Sequence, residues 1–359
     1  MKGMTILGAR PQFIKSACMS LELKRRGVQE VMIHTGQHFD ASMSQIFFEQ
    51  MNLKRADYFL DIHSLSHGAM TGRMMEEIEK ILLLERPDFT VVYGDTNSTL
   101  AGALASCKLN IPVVHIEAGL RSFDMKMPEE INRILTDRIS SLLLVPSQAA
   151  QENLSREGFE SFDSQIVWIG DVMLDSLLHF RPFATPPKGI PSENFILCTL
   201  HRQENSDNKE RLIELIGAIE EAGELMPVVL PLHPRTRARL EHEGLKLDES
   251  KVLVIDPVGY LEMLWLLEHC KVVMTDSGGV QKEAYCFGKL CLTLRDSTEW
   301  VELMAQGANF LVGSNKETIL GVLHQHLEDS IIPDLDIYGG GKASQRALDA
   351  LLNFFKETP

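Results

Sequence analysis

Ten short apolar runs, each rich in valine, isoleucine or leucine, alternate with amphipathic stretches along the whole chain. Strands of a parallel sheet have this composition because helices cover both faces of the sheet, and the alternation is typical of α/β folds. The predicted strands are residues 4–7, 31–34, 90–93, 113–116, 142–145, 195–200, 228–232, 252–255, 272–274 and 290–294. The pattern therefore predicts an α/β protein with doubly wound, Rossmann-like parallel sheets.

The chain is long enough for two domains, and a cluster of prolines indicates where they join. The cluster lies between the fifth and sixth strands and consists of Pro182, Pro186, Pro187, Gly189 and Pro191. We expect an N-terminal domain over residues 1–180, a C-terminal domain over 181–342 and a final helix in 343–359 that can dock back on the N-terminal domain. Two such domains leave an interdomain cleft, and ligands of parallel sheets bind beyond the carboxyl ends of the strands.

The charge balance argues against a nucleic-acid partner, because 50 acidic residues against 35 basic ones leave a formal net charge of −15. No apolar run approaches the roughly 20 residues that span a bilayer. The first strand begins almost at once, so we expect a cytoplasmic protein with no signal peptide and no membrane partner. The six cysteines form no C-x-x-C pair, which predicts buried thiols rather than a zinc site or a disulfide framework.

A strand over residues 272–274 leads through Asp276 into Ser277-Gly278-Gly279 and then into a helix. Glycines let the backbone approach a ligand closely, and the N-terminus of a helix offers unpaired N–H groups and the positive end of a dipole. This pattern predicts a diphosphate site, with Glu283 able to reach the hydroxyls of a ribose. A plain glycine turn between a strand and a helix explains the same residues equally well.

Polar residues also follow the strands of the first half. Arg10 and Lys15 follow the first strand and are either phosphate ligands or a solvated basic pair. Asp95 is either a helix cap or a functional acid, and Glu130 is either a functional acid or a favourable charge at a helix N-terminus. Glu117 directly follows a buried strand, where an acid has no obvious structural task, so we favour a functional role.

Histidines end two strands of the second half, His201 after residue 200 and His233 after residue 232. A histidine at this position can change its charge near neutral pH, although a single histidine is more often structural. No G-x-G-x-x-G motif is present, and residues 339–344 do not have the spacing of a Walker A loop. The loops together offer N–H groups and cations for a diphosphate, and carboxylates with a histidine for acid–base chemistry.

Seven motifs in this order resemble those of the non-hydrolysing UDP-N-acetylglucosamine 2-epimerase family. They are Gly-Ala-Arg-Pro-Gln-Phe-Ile-Lys (8–15), Thr-Gly-Gln-His (35–38), Gly-Asp-Thr-Asn-Ser-Thr (94–99), His-Ile-Glu-Ala-Gly-Leu-Arg (115–121), Pro-Glu-Glu-Ile-Asn-Arg (128–133), His-Arg-Gln-Glu-Asn (201–205) and Thr-Asp-Ser-Gly-Gly-Val-Gln-Lys-Glu-Ala (275–284). The resemblance extends from end to end. It implies the two-domain GT-B fold, a homodimer, and an isomerase that acts on a UDP-sugar without a cofactor or metal.

Three further segments resemble one branch of this family, the UDP-2,3-diacetamido-2,3-dideoxyglucuronate 2-epimerases of O-antigen and lipopolysaccharide synthesis. These segments are residues 35–49, 122–127 and 256–263. The chain departs from UDP-N-acetylglucosamine enzymes at Ala9 and Gln12, where those typically carry threonine and glutamate, and at Trp300, where they carry arginine. The resemblance therefore implies the diacetamido-uronate as substrate, with UDP-N-acetylglucosamine, giving UDP-N-acetylmannosamine, as the alternative.

The family's reaction inverts C2 by eliminating UDP to a 2-acetamido glycal and adding it back. Carried over by motif, the implied catalytic residues are Asp95, Glu117, Glu130 and His201. The implied substrate-binding residues are Arg10, Lys15, Ser277, Gly278, Gly279 and Glu283. A uronate also needs a cation for its C6 carboxylate, and Arg121, Lys126 and Arg133 are equal candidates.

Three other functions remain open at this point. A hydrolysing epimerase shares the elimination step but lets water intercept the glycal, so it releases UDP. A GT-B glycosyltransferase requires an acceptor sugar, and several carboxylates around one sugar argue against it. A nucleotide-sugar binding module without chemistry would not need the acid–base residues.

Overall fold

A computed structural model describes residues 1–37, 54–191 and 194–357, and the chain divides into two compact units. The N-terminal unit consists of Met1–His179 together with Leu335–Pro359, and the C-terminal unit consists of Phe180–Asp334. The proline cluster follows the first boundary directly. The second boundary precedes the last helix, so the end of the chain belongs to the N-terminal unit.

The N-terminal unit contains a seven-stranded, fully parallel sheet. Its strands are β1 Lys2–Leu7, β2 Gln29–His34, β3 Tyr58–Phe59, β4 Phe89–Tyr93, β5 Val113–Ile116, β6 Leu142–Val145 and β7 Gln165–Trp168. Their order in the sheet is β3-β2-β1-β4-β5-β6-β7. The strand order reverses between β1 and β4, and this is the point at which doubly wound sheets bind their ligands.

The C-terminal unit contains a six-stranded parallel sheet. Its strands are β8 Ile196–Thr199, β9 Val228–Pro231, β10 Val252–Ile255, β11 Val272–Thr275, β12 Leu290–Thr293 and β13 Asn309–Leu311. The order is β10-β9-β8-β11-β12-β13, with the reversal between β8 and β11. Both units are therefore Rossmann-like α/β domains, as the sequence predicts.

All ten predicted strands are present, with ends that differ by at most two residues. The sequence missed β3, β7 and β13, and all three lie at the edges of their sheets. Edge strands are short and only partly covered, so they lack the continuous apolar run that identifies a central strand. β7 illustrates this, because none of its four residues is fully buried.

The helices of the described residues, numbered in chain order, cover the two sheets. They are α1 Arg10–Arg25, α2 His67–Glu85, α3 Asn97–Lys108, α4 Pro128–Ile139, α5 Gln148–Arg156, α6 Val172–Phe180, α7 Gln203–Ser206, α8 Lys209–Leu225, α9 Pro234–Glu243, α10 Tyr260–His269, α11 Gly278–Cys286, α12 Val301–Ala305, α13 Lys316–His326 and α14 Ala343–Glu357. Among the residues that the structure describes, two apolar clusters in each unit contribute to the core.

The final helix α14 is part of the N-terminal unit's core. Ala343, Ala347 and Leu351 are fully buried in the cluster that also contains Phe13. The carboxylate of Asp175 accepts hydrogen bonds from the amides of residues 343 and 344, at 3.0 and 2.7 Å. These bonds satisfy N–H groups at the start of the helix that have no partner within it.

Side-chain caps begin two of the helices near the predicted site. Thr96 caps α3 by accepting a hydrogen bond from the amide of Thr99 at 3.2 Å, so Asp95 does not serve as the cap. Asn208 caps α8 through the amide of Arg211 at 3.1 Å. Because Asp95 is not needed to start the helix, this observation supports the alternative that Asp95 is a functional acid.

The described residues contain no helix that is long and apolar enough to cross a membrane. They also contain no group of three or more histidine, cysteine or acidic side chains that could hold a metal ion. The cysteines are free, and Cys198, Cys270 and Cys291 are buried. Cys107 is exposed, so the prediction of buried thiols is wrong for this residue.

Candidate functional site

The carboxyl ends of β1, β4 and β5 lie side by side in the N-terminal sheet, since these strands are neighbours and parallel. Arg10 begins α1 after β1, Asp95 follows β4, and Glu117 directly follows β5. The sheet topology therefore brings these three predicted site residues to one end of the unit. Lys15, one turn further along α1, belongs to the same group because it pairs with Glu117.

Glu117 is a buried acid in a strained backbone conformation. Its φ is +72°, in the left-handed region that costs side chains with a Cβ roughly 1–2 kcal/mol. Its carboxylate forms a buried ion pair with the Nζ of Lys15. A Cβ on Gly94 would lie 3.1 Å from that Nζ and 3.4 Å from Oε2 of Glu117, so the glycine leaves room for the pair. Local strain of this kind concentrates at functional sites.

Arg133 joins Asp95 to Glu130. Its guanidinium donates to Oδ2 of Asp95 and, at 2.6 Å, to Oε2 of Glu130. Arg133 and Glu130 are buried, whereas the Asp95 side chain is 31% exposed. Asp95 is thus an oriented carboxylate that solvent or a ligand can reach.

The carboxylate of Glu130 fixes the loop of residues 122–123 through hydrogen bonds. It accepts hydrogen bonds from the amide and hydroxyl of Ser122, both at 2.9 Å, and from the amide of Phe123 at 2.8 Å. Phe123 has a φ of +59° and an exposed side chain. Glu130 therefore already has four donors, including Arg133, and its position depends on this loop.

His115, Asp137 and Arg121 form a buried hydrogen-bond network next to these acids. The sequence did not predict this network. His115 contacts Oδ1 of Asp137 through Nδ1 and the carbonyl oxygen of Gly94 through Nε2, both at 2.7 Å. Oδ2 of Asp137 accepts from the amide of Gly119 at 3.1 Å and from Arg121 at 2.7 Å. Burial opposes ionisation of Asp137, but His115 and Arg121 outweigh it and lower the pKa of the carboxyl.

Two of the three candidate cations for a C6 carboxylate are engaged elsewhere. Arg121 is buried and pairs with Asp137 and, through two bonds of 2.7 and 2.8 Å, with Glu157. Arg133 pairs with two acids as described above. Lys126 is exposed and pairs with no acidic side chain among the described residues. Arg121 and Arg133 therefore have acidic partners within the protein, whereas Lys126 keeps an exposed charge.

In the C-terminal unit, His201 follows β8 and Asp276 follows the neighbouring strand β11. Nδ1 of His201 lies 3.1 Å from Oδ1 of Asp276. The Asp276 carboxylate is fully buried, whereas the His201 side chain is 42% exposed. The sequence analysis assigned no role to Asp276, although the rule that singled out Glu117, an acid directly after a buried strand, applies to it equally.

The glycine loop lies at the start of α11. Ser277 is the N-cap residue, and Gly278 and Gly279 begin the helix. A Cβ on Gly278 would lie 2.4 Å from Oε1 of Glu299, so a side chain at this position would displace that carboxylate. Glu283 is buried within the same helix. A ligand can approach the backbone of this glycine loop closely, and the N-terminus of a helix lies there. Both features favour the binding of a diphosphate.

Trp300, one of the residues that depart from the resembled family, lies beside this loop. It is buried, and the Nζ of the buried Lys282 lies 3.9 Å from the centroid of its ring. The adjacent Glu299 accepts a hydrogen bond from Arg295 at 3.0 Å. Trp300 therefore accommodates a buried lysine through a cation–π contact.

One of the branch-specific segments cannot be compared with the structure. Residues 38–49 of the segment 35–49 lie outside the described residues. Its described part includes Gln37, whose Oε1 accepts hydrogen bonds from the amide and hydroxyl of Ser98 at 3.1 and 2.8 Å. Gln37 is thus fixed at the start of α3, close to the turn that carries Asp95.

The fold and the polar loops at the strand ends define a GT-B-like protein with two Rossmann-like units. Consistent with this, a rhamnosyltransferase structure with 13% identity and a TM-score of 0.53 shares the fold. A family model described as UDP-N-acetylglucosamine 2-epimerase matches residues 21–352. The chain belongs to this family.

Two relatives are similar over almost their full lengths. The UDP-2,3-diacetamido-2,3-dideoxy-D-glucuronate 2-epimerase of Pseudomonas aeruginosa is 56% identical, covering 98% of this chain and 99% of the relative. The crystal structure of the UDP-GlcNAc 2-epimerase of Methanocaldococcus jannaschii, in complex with UDP-GlcNAc and UDP, has 43% identity and a TM-score of 0.91. The match covers 98% of this chain and 100% of the chain in that crystal structure.

Proposed function

We propose that this protein is a UDP-sugar 2-epimerase whose substrate is UDP-2,3-diacetamido-2,3-dideoxy-D-glucuronate, which it converts to the manno epimer. The observation that carries the choice of substrate is the 56% identity, end to end, with the enzyme of that name. Family membership supports the reaction class, and the acids of the N-terminal unit supply groups that the reaction needs. No nicotinamide cofactor takes part in the proposed chemistry.

In the proposed reaction, a carboxylate removes the proton from C2 while the bond between C1 and the diphosphate oxygen breaks. The electron pair of that bond leaves with UDP, and a 2-acetamido glycal remains. UDP then adds back to C1, and a second group delivers a proton to the opposite face of C2. The reaction therefore needs two proton-handling groups and a clamp that retains UDP.

We assign proton transfer at C2 to Glu117 and Asp95. Glu117 is buried, strained and paired with a lysine, and Asp95 is oriented by Arg133 yet partly exposed. Glu130 contributes as a positioning residue, because its carboxylate is occupied by the 122–123 loop and by Arg133. Glu130, predicted from the sequence as a catalytic residue, is thus reassigned to positioning, and Asp95 and Glu117 remain assigned to proton transfer.

We assign UDP binding to the C-terminal unit and the sugar to the N-terminal unit. Ser277, Gly278 and Gly279 offer backbone N–H groups to the diphosphate, and Glu283 is assigned to the ribose hydroxyls. His201, which is half-exposed, is assigned to the oxygen that leaves C1. Arg10 and Lys15 are assigned to the phosphates or the sugar of the same substrate. We also propose a homodimer, which light scattering of the purified protein tests.

UDP-N-acetylglucosamine is the second candidate substrate, because the 43% identical relative of known structure acts on it by name. The two substrates differ at C3, where the uronate carries an acetamido group in place of a hydroxyl, and at C6, where it carries a carboxylate. The exposed Lys126 is the proposed partner of that carboxylate, since Arg121 and Arg133 each already pair with two acids.

The deciding experiment incubates the purified protein with each UDP-sugar separately, without added cofactor or acceptor, and follows C2 configuration by NMR. We expect the manno epimer of the diacetamido-uronate and much slower conversion of UDP-N-acetylglucosamine. Faster conversion of UDP-N-acetylglucosamine would reverse the substrate assignment. Accumulation of UDP with free sugar would instead indicate a hydrolysing enzyme, and turnover only with an acceptor would indicate a glycosyltransferase.

The role of Glu117 is tested in D₂O with the Glu117→Gln variant. The wild type should incorporate deuterium at C2 of the product, whereas the variant should bind UDP normally and lose both exchange and epimerisation. Glu129→Gln is the matched control, since Glu129 is an acid of the same unit that lies outside the assigned set. Full turnover by Glu117→Gln would remove Glu117 from the mechanism.

A further inference from the structure

The neighbouring strands β8 and β11 place the two chain segments that follow them side by side. Thr199, the last residue of β8, lies opposite Thr275, the last residue of β11, and their side-chain oxygens are 2.5 Å apart. The next residues along each segment include His201 and Asp276. Sheet register thus brings together two residues that are 75 positions apart in the sequence.

The carboxylate of Asp276 is devoted to the segment after β8. It accepts hydrogen bonds from the amide of His201 at 3.0 Å, from the amide of Arg202 at 2.9 Å and from Nδ2 of Asn205 at 3.2 Å. The ring of His201 adds a further contact at 3.1 Å through Nδ1. A fully buried carboxylate therefore fixes both the backbone and the ring of the one histidine assigned to chemistry.

The contact decides which nitrogen of His201 carries hydrogen. Burial opposes ionisation of Asp276, but His201 and the amide donors outweigh it and lower the pKa of the carboxyl. An ionised carboxylate only accepts hydrogen bonds, so Nδ1 of His201 must donate. The other ring nitrogen, Nε2, is then the one that can exchange a hydrogen bond or proton with a ligand.

We propose that Asp276 is a positioning residue that orients the ring of His201 through Nδ1, so that Nε2–H of the imidazolium donates to the diphosphate oxygen leaving C1. When the bond from C1 to oxygen breaks, the electron pair stays on that oxygen and the hydrogen bond from Nε2 stabilises it. The same bond releases the oxygen when UDP adds back. This inference rests on the proposed epimerase function, because the leaving group defines what Nε2 faces.

Two neighbours of His201 carry no negative charge. Arg202 follows it directly and carries a positive charge. The ring of His233, after β9, has its centroid 6.1 Å away. Its Nδ1 accepts a hydrogen bond from the amide of Arg235 at 3.2 Å, so this histidine offers no compensating negative charge. Asp276 supplies that charge at the shortest distance.

The first test uses the wild-type protein labelled with ¹⁵N-histidine, without substrate. The His201 signals are identified by their loss in His201→Gln, and the ¹⁵N shifts report which nitrogens carry hydrogen. We expect hydrogen on Nδ1 at every pH at which the protein is folded. A neutral ring with hydrogen on Nε2 and a bare Nδ1 would overturn the proposal, whether or not the protein proves to be an epimerase.

The second test is a double-mutant cycle with Asp276→Asn and His201→Gln, measured as epimerase kcat. We expect Asp276→Asn to lower kcat by about 10²-fold in the wild type, the scale of a lost acid–base group, and to add little in the His201→Gln background. Asp207→Asn, a carboxylate of the same unit that pairs with Arg235, is the control.

The outcomes separate positioning from a purely structural role. Equal losses from Asp276→Asn in both backgrounds would show that Asp276 only stabilises the fold and would overturn the proposal. If Asp276→Asn does not fold, the labelled wild type still decides the tautomer. If the wild type epimerises neither UDP-sugar, the proposed function fails while the ¹⁵N result still stands or falls by itself.

Discussion

Replacing Gly119 by alanine is expected to destabilise the N-terminal unit more than an ordinary glycine replacement. Gly119 has a φ of +80° and lies two residues after Glu117. An added Cβ would lie 2.4 Å from the carbonyl oxygen of Ala150 and 3.0 Å from its carbon. Both are backbone atoms, so a side-chain rotation cannot relieve the contact.

Two costs add in this variant. The left-handed conformation costs alanine about 1–2 kcal/mol, and forcing a methyl group into a filled position costs a further ~1–3 kcal/mol. The expected loss of unfolding free energy is therefore about 2–5 kcal/mol. Gly158→Ala provides the matched control, because Gly158 has a φ of +76° but no described atom within 4 Å of the added Cβ. The control should lose only about 1–2 kcal/mol.

Urea unfolding followed by circular dichroism measures both variants, and equal m-values would show that the comparison is valid. The epimerase assay adds a second readout, since a shift of Gly119 moves its amide away from Asp137 and disturbs Glu117. Gly119→Ala should therefore lose more activity than Gly158→Ala. Equal stability and equal activity of the two variants would refute the close approach to Ala150 on which this reasoning depends.

Three further predictions follow from single groups. Arg133→Met should cost about 2–4 kcal/mol of unfolding free energy, because it leaves buried Glu130 with neutral donors alone, and adding Glu130→Gln should recover part of the loss in urea unfolding. Burial raises the pKa of Glu30, so the stability from its protonated form is complete below the unfolded-state pKa and is lost as pH rises through the folded-state pKa. In the same assay, Glu30→Gln should gain stability relative to the wild type as the pH rises above about 4. Burial also raises the pKa of the Cys291 thiol to about 12, so a thiol reagent should label exposed Cys107 first and Cys291 only after unfolding.

For each of these three predictions, one experimental outcome would contradict the physical reason given. A double variant no more stable than Arg133→Met would show that the charge left on Glu130 is not the source of the loss. A constant difference between Glu30→Gln and the wild type across the pH range would show that Glu30 titrates alike in the folded and unfolded states. Labelling of Cys291 at the rate of Cys107 in the folded protein would contradict the burial of its thiol.

Much of the fold could be predicted because its signals are local. Apolar runs of three to six residues predicted ten parallel strands, and all ten are strands in the structure. The edge strands β3 and β7 were not predicted because they lack such runs. The strand-end rule also brought Arg10, Asp95 and Glu117 to one end of their sheet, since neighbouring parallel strands end together.

The partners of the site residues could not be predicted in this way. Nothing near Arg121 in the sequence indicates that Asp137 and Glu157 occupy its guanidinium, and the sequence left it an equal candidate for the substrate's carboxylate. Likewise, the sequence around Glu130 is typical of an acid at the start of a helix. It does not indicate that the loop of residues 122–123 donates hydrogen bonds to this carboxylate. These pairings join distant elements, and they change what each charged group can still bind.

The sequence by itself determined the two-unit α/β architecture, the family and the loops that carry polar residues, because each of these depends on the order of residues along a short segment. Only the tertiary structure decided which of those residues act together. The Lys15–Glu117 ion pair, the Arg133–Asp95 pair and the His201–Asp276 contact each join segments that are separate in the sequence and that the parallel sheets bring together. The physical reason is that charge and burial act through distance in space, and the register of parallel strands sets that distance.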